Sequence, residues 1–227
     1  MITLYHCSDA RSFRPLWALE ELGLVYQLKM LPFPPRVHAR DYLRINPLGT
    51  IPTFLDGEGR PGGEARMTES AAIVQYLAAH YGADTLDVPI RDARYAAYLN
   101  WMHFGEATLT FPQTLVLRYT RLEPPERRQP QVADDYRRWF LARLRAVDAA
   151  VSDQPYLCGE AFTAADISVG YALLLAQTLG IDESFPDAVR AYWDRLQGRE
   201  GYRRARRVQA RAAAEQGVGS TQVADLL

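Results

Sequence analysis

Cysteine, lysine, long apolar runs and net charge are all scarce in this chain. Its only two cysteines, Cys7 and Cys158, lie far apart and have no partner at metal or redox spacing. That argues against a disulfide framework and against dithiol chemistry, and a reducing compartment, the cytoplasm, is the expected location. Of 26 basic residues only Lys29 is a lysine, a compositional bias with no functional reading. With 27 acidic residues against those 26 the formal charge is -1, which speaks against a dedicated nucleic-acid binder. No apolar run approaches the roughly 20 residues of a spanning helix. The start, Met1-Ile2-Thr3-Leu4-Tyr5, lacks the basic-then-apolar order of a signal peptide, so no membrane partner is expected. The histidines His6, His38, His80 and His103 show no ligand spacing, and no metal is expected.

What is present is an ordinary globular composition, 48% hydrophobic and 23% charged over 227 residues, comfortable for two small domains. Residues 2–5 and 25–31 read as strands, and 15–22 as a helix with Pro15 in its first turn. After Pro32-Phe33-Pro34-Pro35 a short irregular helix fits 39–43. Strands at 53–55 and 65–67 flank Asp56-Gly57-Glu58-Gly59-Arg60-Pro61-Gly62-Gly63, a turn-rich hairpin loop. In the helix predicted over 70–81, Ile73, Val74, Leu77, Ala78 and Tyr81 share one face. Residues 1–81 thus form a mixed four-stranded α/β layer, followed by a linker over 82–90. Strand signals then vanish. Helices are expected over 91–118, bent near Pro112, and over 132–151, 163–179, 185–196 and 201–216. An all-α domain therefore spans 91–216, with a loose tail at 217–227.

Two short stretches carry chemistry. In Asn46-Pro47-Leu48-Gly49-Thr50-Ile51-Pro52, a proline at a strand mouth cannot donate to the ladder. With a cis bond it would leave the N–H and C=O of Ile51 facing outward, as at a sheet edge. Thr68-Glu69-Ser70 precede an apolar helical run, so free N–H groups and the positive dipole end would meet a carboxylate there while Glu69 meets an ammonium. The pair suits the α-amino acid head of a small peptide such as the γ-glutamyl end of glutathione.

An α/β unit that ends in such a loop and a Glu-Ser helix start, joined to a helical half, resembles the cytosolic glutathione S-transferase family, in its bacterial form. The resemblance spans nearly the whole chain. It includes the start Leu4-Tyr5-His6-Cys7-Ser8-Asp9-Ala10-Arg11-Ser12-Phe13-Arg14, the run Trp17-Ala18-Leu19-Glu20-Glu21-Leu22-Gly23, the Asn46 to Pro52 loop, Glu69-Ser70, and Phe162-Thr163-Ala164-Ala165-Asp166. The last segment is similar to the family's buried capping box, a structural rather than chemical element.

The resemblance implies a thioredoxin-like N-terminal domain that binds glutathione as co-substrate, a C-terminal domain lining a pocket for a small hydrophobic electrophile, and a two-fold homodimer. By position, Ile51 would pair with the cysteinyl part of glutathione beside a cis Pro52, and Glu69 and Ser70 would hold the γ-glutamyl group. Arg40, His38 or Arg36 would meet the glycyl carboxylate. Trp101, Phe104, Phe111, Leu115 and Tyr119 could line the electrophile pocket or serve as core, with His103 and Glu106 adding polarity.

The reaction needs a thiolate. A thiol of pKa about 8.5 is mostly protonated at neutral pH, and lowering it two units takes roughly 2.7 kcal/mol. One hydroxyl donor, roughly 1.5 to 3 kcal/mol, plus a helix N-terminus, roughly 0.3 to 1, suffices. In serine-type relatives that hydroxyl falls on Ala10 here, which cannot donate. The nearest hydroxyls are Ser8 and Ser12. Ser12, or the backbone near Arg11, is expected to meet the sulfur, with the Arg11 guanidinium adding positive potential. The other reading of Ser12 is a helix cap, and that of Cys7 a packed strand-end thiol. Ala10, together with the run Arg199, Arg203, Arg204, Arg206, Arg207 and Arg211, also suits a non-catalytic scaffold with an acidic partner, although a solvated helix explains the run as well. Peroxide reduction, thiol transfer or isomerisation with glutathione stays open, because binding glutathione does not choose the second substrate.

Overall fold

A computed structural model describes residues 1–57, 63–83 and 85–219. It forms two compact units, one of Met1–Gly82 with the segment from Arg199 onward, the other of Ala83–Gly198.

The first unit holds strands β1 (Ile2–His6), β2 (Tyr26–Met30), β3 (Thr53–Asp56) and β4 (Ala65–Met67), in sheet order β2-β1-β3-β4. The β1–β2 pair is parallel and the other two pairs are antiparallel, as expected of a mixed α/β layer. Helices α1 (Phe13–Glu21), α2 (Pro35–His38) and α3 (Ser70–Tyr81) belong to it, with a 3-10 turn at Arg40–Arg44. The apolar spacing of α1 and α3 buries Phe13, Leu16, Trp17, Leu19, Ile73, Val74 and Leu77 completely, together with Leu4 and Phe54 of the sheet. Tyr81, expected on that face, is instead 38% exposed, and its hydroxyl reaches back to the buried Asp56 carboxylate. The hairpin loop expected around Asp56 to Gly63 has residues 58–62 outside the described residues.

The second unit contains α4 (Tyr95–His103), α5 (Phe111–Leu117), α6 (Pro130–Val151), α7 (Ala164–Thr178) and α8 (Asp187–Gln197). The single helix expected over 91–118 is divided: π turns occupy Phe104–Thr110 and Arg118–Leu122. Pro112 sits in the first turn of α5. It has no N–H for the carbonyl one α-turn back, and the backbone before it widens. The Thr110 hydroxyl satisfies the Gly105 carbonyl at 2.7 Å. Helix α7 is buried from Ala164 to Ala176. Gly105 lets the wide turn approach it, for a Cβ there would lie 2.5 Å from Ser168 Oγ.

The last helix, α9 (Glu200–Glu215), was expected with the helical half. It packs on α1 and β2 in the first unit. Tyr202 sets its ring edge-on to Phe13 and Trp17 at 5.6 and 5.1 Å, pairs worth about 0.5 to 1.5 kcal/mol each beyond burial. Arg199 clamps Glu21 through two bonds of 2.8 and 2.9 Å, and Arg204 holds Glu20. Half of the arginine run is therefore spent inside the unit, while Arg203, Arg207 and Arg211 face outward. Gln216 acts as one more rung on the edge strand, taking the Met30 N–H and donating to the Leu28 carbonyl, both at 2.9 Å. The tail expected to be loose starts as a helix stop. With Gly217 at φ 63, Val218 N–H bonds Ala213 and Gly217 N–H bonds Ala214, and Val218 packs on Met30 and Ala213. Residues 220–227 lie outside the described residues.

Candidate glutathione site

Strand register brings three segments to one end of the first unit's sheet. Phe54 pairs with Met67, so continuing the antiparallel count sets Pro52 opposite Glu69. Tyr5 pairs with Thr53, so the end of β1 and the turn after it lie beside Ile51 and Pro52.

The loop is built by its own polar residues. Asn46, buried, donates to the Thr50 carbonyl at 2.8 Å and accepts the Leu48 N–H at 3.1 Å. The Tyr42 hydroxyl adds a second bond to the same carbonyl at 2.7 Å. Gly49 has φ 59, and a Cβ there would lie 2.6 Å from Arg36 Cβ. The peptide Ile51–Pro52 is cis, as expected, and so is Phe33–Pro34. Neither the N–H nor the C=O of Ile51 meets a partner among the described residues.

At α3, Glu69 is extended and exposed and makes no cap bond. The first bond of the helix runs from Ile73 N–H to Glu69, which leaves the N–H groups of Ser70, Ala71 and Ala72 without acceptors among the described residues. Ser70 is buried, and its Oγ accepts from Arg14 Nη1 at 3.1 Å. Arg14 is wholly buried in α1. It brings a cation to the start of α3, a role that sequence reading missed. The signal was there, an arginine inside the apolar run Phe13 to Leu19, since a buried arginine must be paired.

A sequence profile described as the glutathione S-transferase N-terminal domain matches residues 10–80, and one described as its C-terminal domain matches 113–200. Glutathione S-transferase GstB of Escherichia coli K12 is 31% identical over 173 residues, 74% of this chain and 80% of that protein. Glutathione S-transferase 3 of Schizosaccharomyces pombe is 30% identical over 78% of this chain and 75% of its own length. The chain belongs to the glutathione S-transferase family. In three dimensions it is similar to the theta class glutathione S-transferase of Xanthomonas axonopodis pv. citri, solved with glutathione bound, at TM-score 0.74 and 26% identity, covering 90% of this chain and 96% of that one.

The turn after β1 carries the two nearest hydroxyls, Ser8 and Ser12. Ser12 is wholly buried and caps nothing. Its hydroxyl is engaged within the turn, 2.7 Å from His6 Nδ1 and 3.4 Å from the Cys7 carbonyl. Gln209 Nε2 donates to Asp9 at 2.6 Å, which leaves Gln209 Oε1 to accept from His6 Nε2–H at 2.9 Å. His6 Nδ1 is then bare and takes the Ser12 hydroxyl at 2.7 Å, while Ser12 Oγ accepts the Cys7 N–H at 3.2 Å. Burial pushes His6 down to about 4, so the ring is neutral and lends the turn no charge. Burial likewise pushes the Cys7 thiol up to about 12, which fits a packed strand-end residue. Ala10 is buried. Ser8 is half-buried, with no partner for its hydroxyl among the described residues, and Arg11 is half-buried.

Arg36, His38 and Arg40 are exposed on and just after α2. In the second unit Trp101 and Phe104 are half-buried and meet edge-on at 5.0 Å. Tyr119 is half-buried under the Arg118 guanidinium at 5.6 Å, and Leu115 is half-buried while Phe111 is 54% exposed. Among the described residues no group of three His, Cys, Asp or Glu is placed to hold a metal, and no helix is long and apolar enough to cross a membrane.

The family's Asp166 sits in the second unit. Its carboxylate accepts from Leu157 N–H at 3.0 Å, Thr163 N–H at 2.8 Å, the Thr163 hydroxyl at 3.2 Å and the Tyr192 hydroxyl at 2.8 Å. The capping box is complete.

Proposed function

We propose that this chain is a glutathione transferase that binds glutathione at the sheet end shared by the Ile51–Pro52 loop, the start of α3 and the turn after β1. One observation carries the reading: the backbone of Ile51, without a partner among the described residues, lies by register next to a helix start whose N–H groups its own side chains do not cap. The N–H and C=O of Ile51 pair with the cysteinyl residue as a sheet edge would. The γ-glutamyl carboxylate takes the N–H groups at α3 and the Ser70 hydroxyl, backed by Arg14, and Glu69 takes the ammonium. Arg40 or His38 meets the glycyl carboxylate.

The sulfur then rests near the start of α1. With Ser12 turned inward and His6 neutral, the thiolate is held by backbone N–H groups of the turn, the helix dipole, the Ser8 hydroxyl and the positive potential of Arg11. Attack forms a carbon–sulfur bond to the electrophile, and the leaving group departs with its electron pair. Trp101, Phe104, Phe111 and Tyr119 supply apolar surface for that electrophile, and a homodimer is the assembly that accompanies the reading.

A glutathione-binding scaffold is the second reading, and Ala10 in the hydroxyl position favours it. The arginine run no longer does, because three of its members are paired within the unit. Steady-state turnover of glutathione with a nitro-activated aryl chloride separates the two. Saturable conjugation supports the transferase, and tight binding with a rate no better than buffer supports the scaffold.

A further inference from the structure

Residues 7–12, the turn that receives the sulfur in the reading above, are gripped from the far end of the chain. Asp9 has a left-handed backbone at φ 54, unusual for a residue with a side chain. Its carboxylate takes Gln209 Nε2 and Arg206 Nη1 of α9, and its N–H donates to Gln209 Oε1 at 3.3 Å. The same Gln209 oxygen holds His6, which orients Ser12, and Ser12 accepts the N–H of Cys7. Donation runs from the Cys7 N–H through the Ser12 hydroxyl and His6 to Gln209 Oε1 on α9, and Gln209 Nε2 returns it to Asp9 in the turn. His6, Ser12 and Gln209 are all buried, where an unmade bond is most costly. Gln216, at the end of α9, serves the β2 edge instead.

We propose that Gln209, assisted by Arg206, is a positioning residue for catalysis. Through Asp9 and the His6–Ser12 pair it holds residues 7–12 in the shape in which the start of α1 meets the glutathione sulfur. The proposal rests on the glutathione reading for its consequence, but the grip itself is a property of the free protein. The charged and titratable groups facing the turn include Asp9, Arg11, Cys7 and His6 on the turn and its strand, and Arg206 and Tyr202 on α9.

The test compares Gln209→Leu with Gln216→Leu, a change of the same type just past the end of the same helix and away from the turn, and with the milder Arg206→Gln, whose side chain is already 33% exposed. Hydrogen exchange without ligand is the first reading. In Gln209→Leu the amides of residues 8–12 should exchange about tenfold faster or more while those of α3 do not change. The second reading is the thiolate absorbance of bound glutathione against pH, which should shift up by about one unit. Turnover should fall about tenfold, with KM changed less than about twofold. Arg206→Gln should move both readings the same way by less, and Gln216→Leu should move neither. A folded Gln209→Leu with wild-type exchange in the turn overturns the proposal, as does an equal effect of Gln216→Leu, which would show general loss of α9 packing. If Gln209→Leu does not fold, the same two readings on Arg206→Gln decide. If wild-type protein takes up no glutathione, the functional reading fails, and the ligand-free exchange alone decides whether α9 grips the turn.

Discussion

Helices α3 and α7 begin with comparable short polar segments, Thr68-Glu69-Ser70 and Thr163-Ala164-Ala165-Asp166, yet their ends are finished in opposite ways. At α7 the Asp166 carboxylate collects four donors and Thr163 completes the box. At α3 Glu69 caps nothing, and the first N–H groups have no acceptor among the described residues. A helix start closed by its own side chains is a structural joint. One left open, with a buried arginine behind it, is a place where something else supplies the acceptor.

Breaking the closed start should have the largest effect. Asp166→Ala leaves the Leu157 and Thr163 N–H groups and the Tyr192 hydroxyl without their buried acceptor. At about 1 to 3 kcal/mol for each orphaned donor, the loss should reach about 3 to 5 kcal/mol. For a chain of this size that is about 10 °C or more in Tm. A thermal melt within about 2 °C of wild type would show that the closed start is not the joint described.

The start of α1 is a third case, closed from outside by α9. His6 takes part only when neutral, and its value falls from 6.5 to about 4 in the folded protein. The unfolded chain therefore binds the proton more readily between those values. The stabilisation is complete above about pH 6.5 and is lost as pH falls toward about 4, up to about 3 kcal/mol. Denaturant titrations across that window should slope accordingly, and His6→Gln should flatten the slope. An unaltered slope in His6→Gln would remove the neutral relay from the account.

The smallest expected effect on stability is at the open start. Glu69→Gln should leave Tm within about 1 °C, since the side chain is exposed and caps nothing, while glutathione affinity drops about tenfold with the loss of a charge-assisted bond. A lowered Tm with unchanged affinity would make Glu69 a cap after all, and α3 would resemble α7.

The parts of this picture legible in sequence are those written in neighbouring residues. Asn46 to Pro52 closes on itself through bonds no longer than four residues, and Thr163 with Asp166 forms a box within one turn. The apolar spacing of α1, α3 and α6 declares which face is buried. What was not legible depends on residues about 200 positions apart. Nothing local in Arg199 to Gln216 says that the helix belongs to the first unit, because its arginines read equally well as a solvated face. Nor does Ser12, at a plausible cap position, disclose that a histidine oriented by Gln209 already accepts its hydrogen bond. The division of the helix around Pro112 was half visible: the proline marked the place, but the π turn before it also depends on how Gly105 meets Ser168.

Titration calorimetry of the wild-type protein with glutathione, set beside the dipeptide Cys-Gly, tests the central claim most directly. If the open start of α3 holds the γ-glutamyl head, glutathione should bind with measurable heat and the dipeptide should bind at least about a hundredfold more weakly, for it lacks both charges of that head. Equal affinity for the two peptides, or no heat with glutathione, would contradict it.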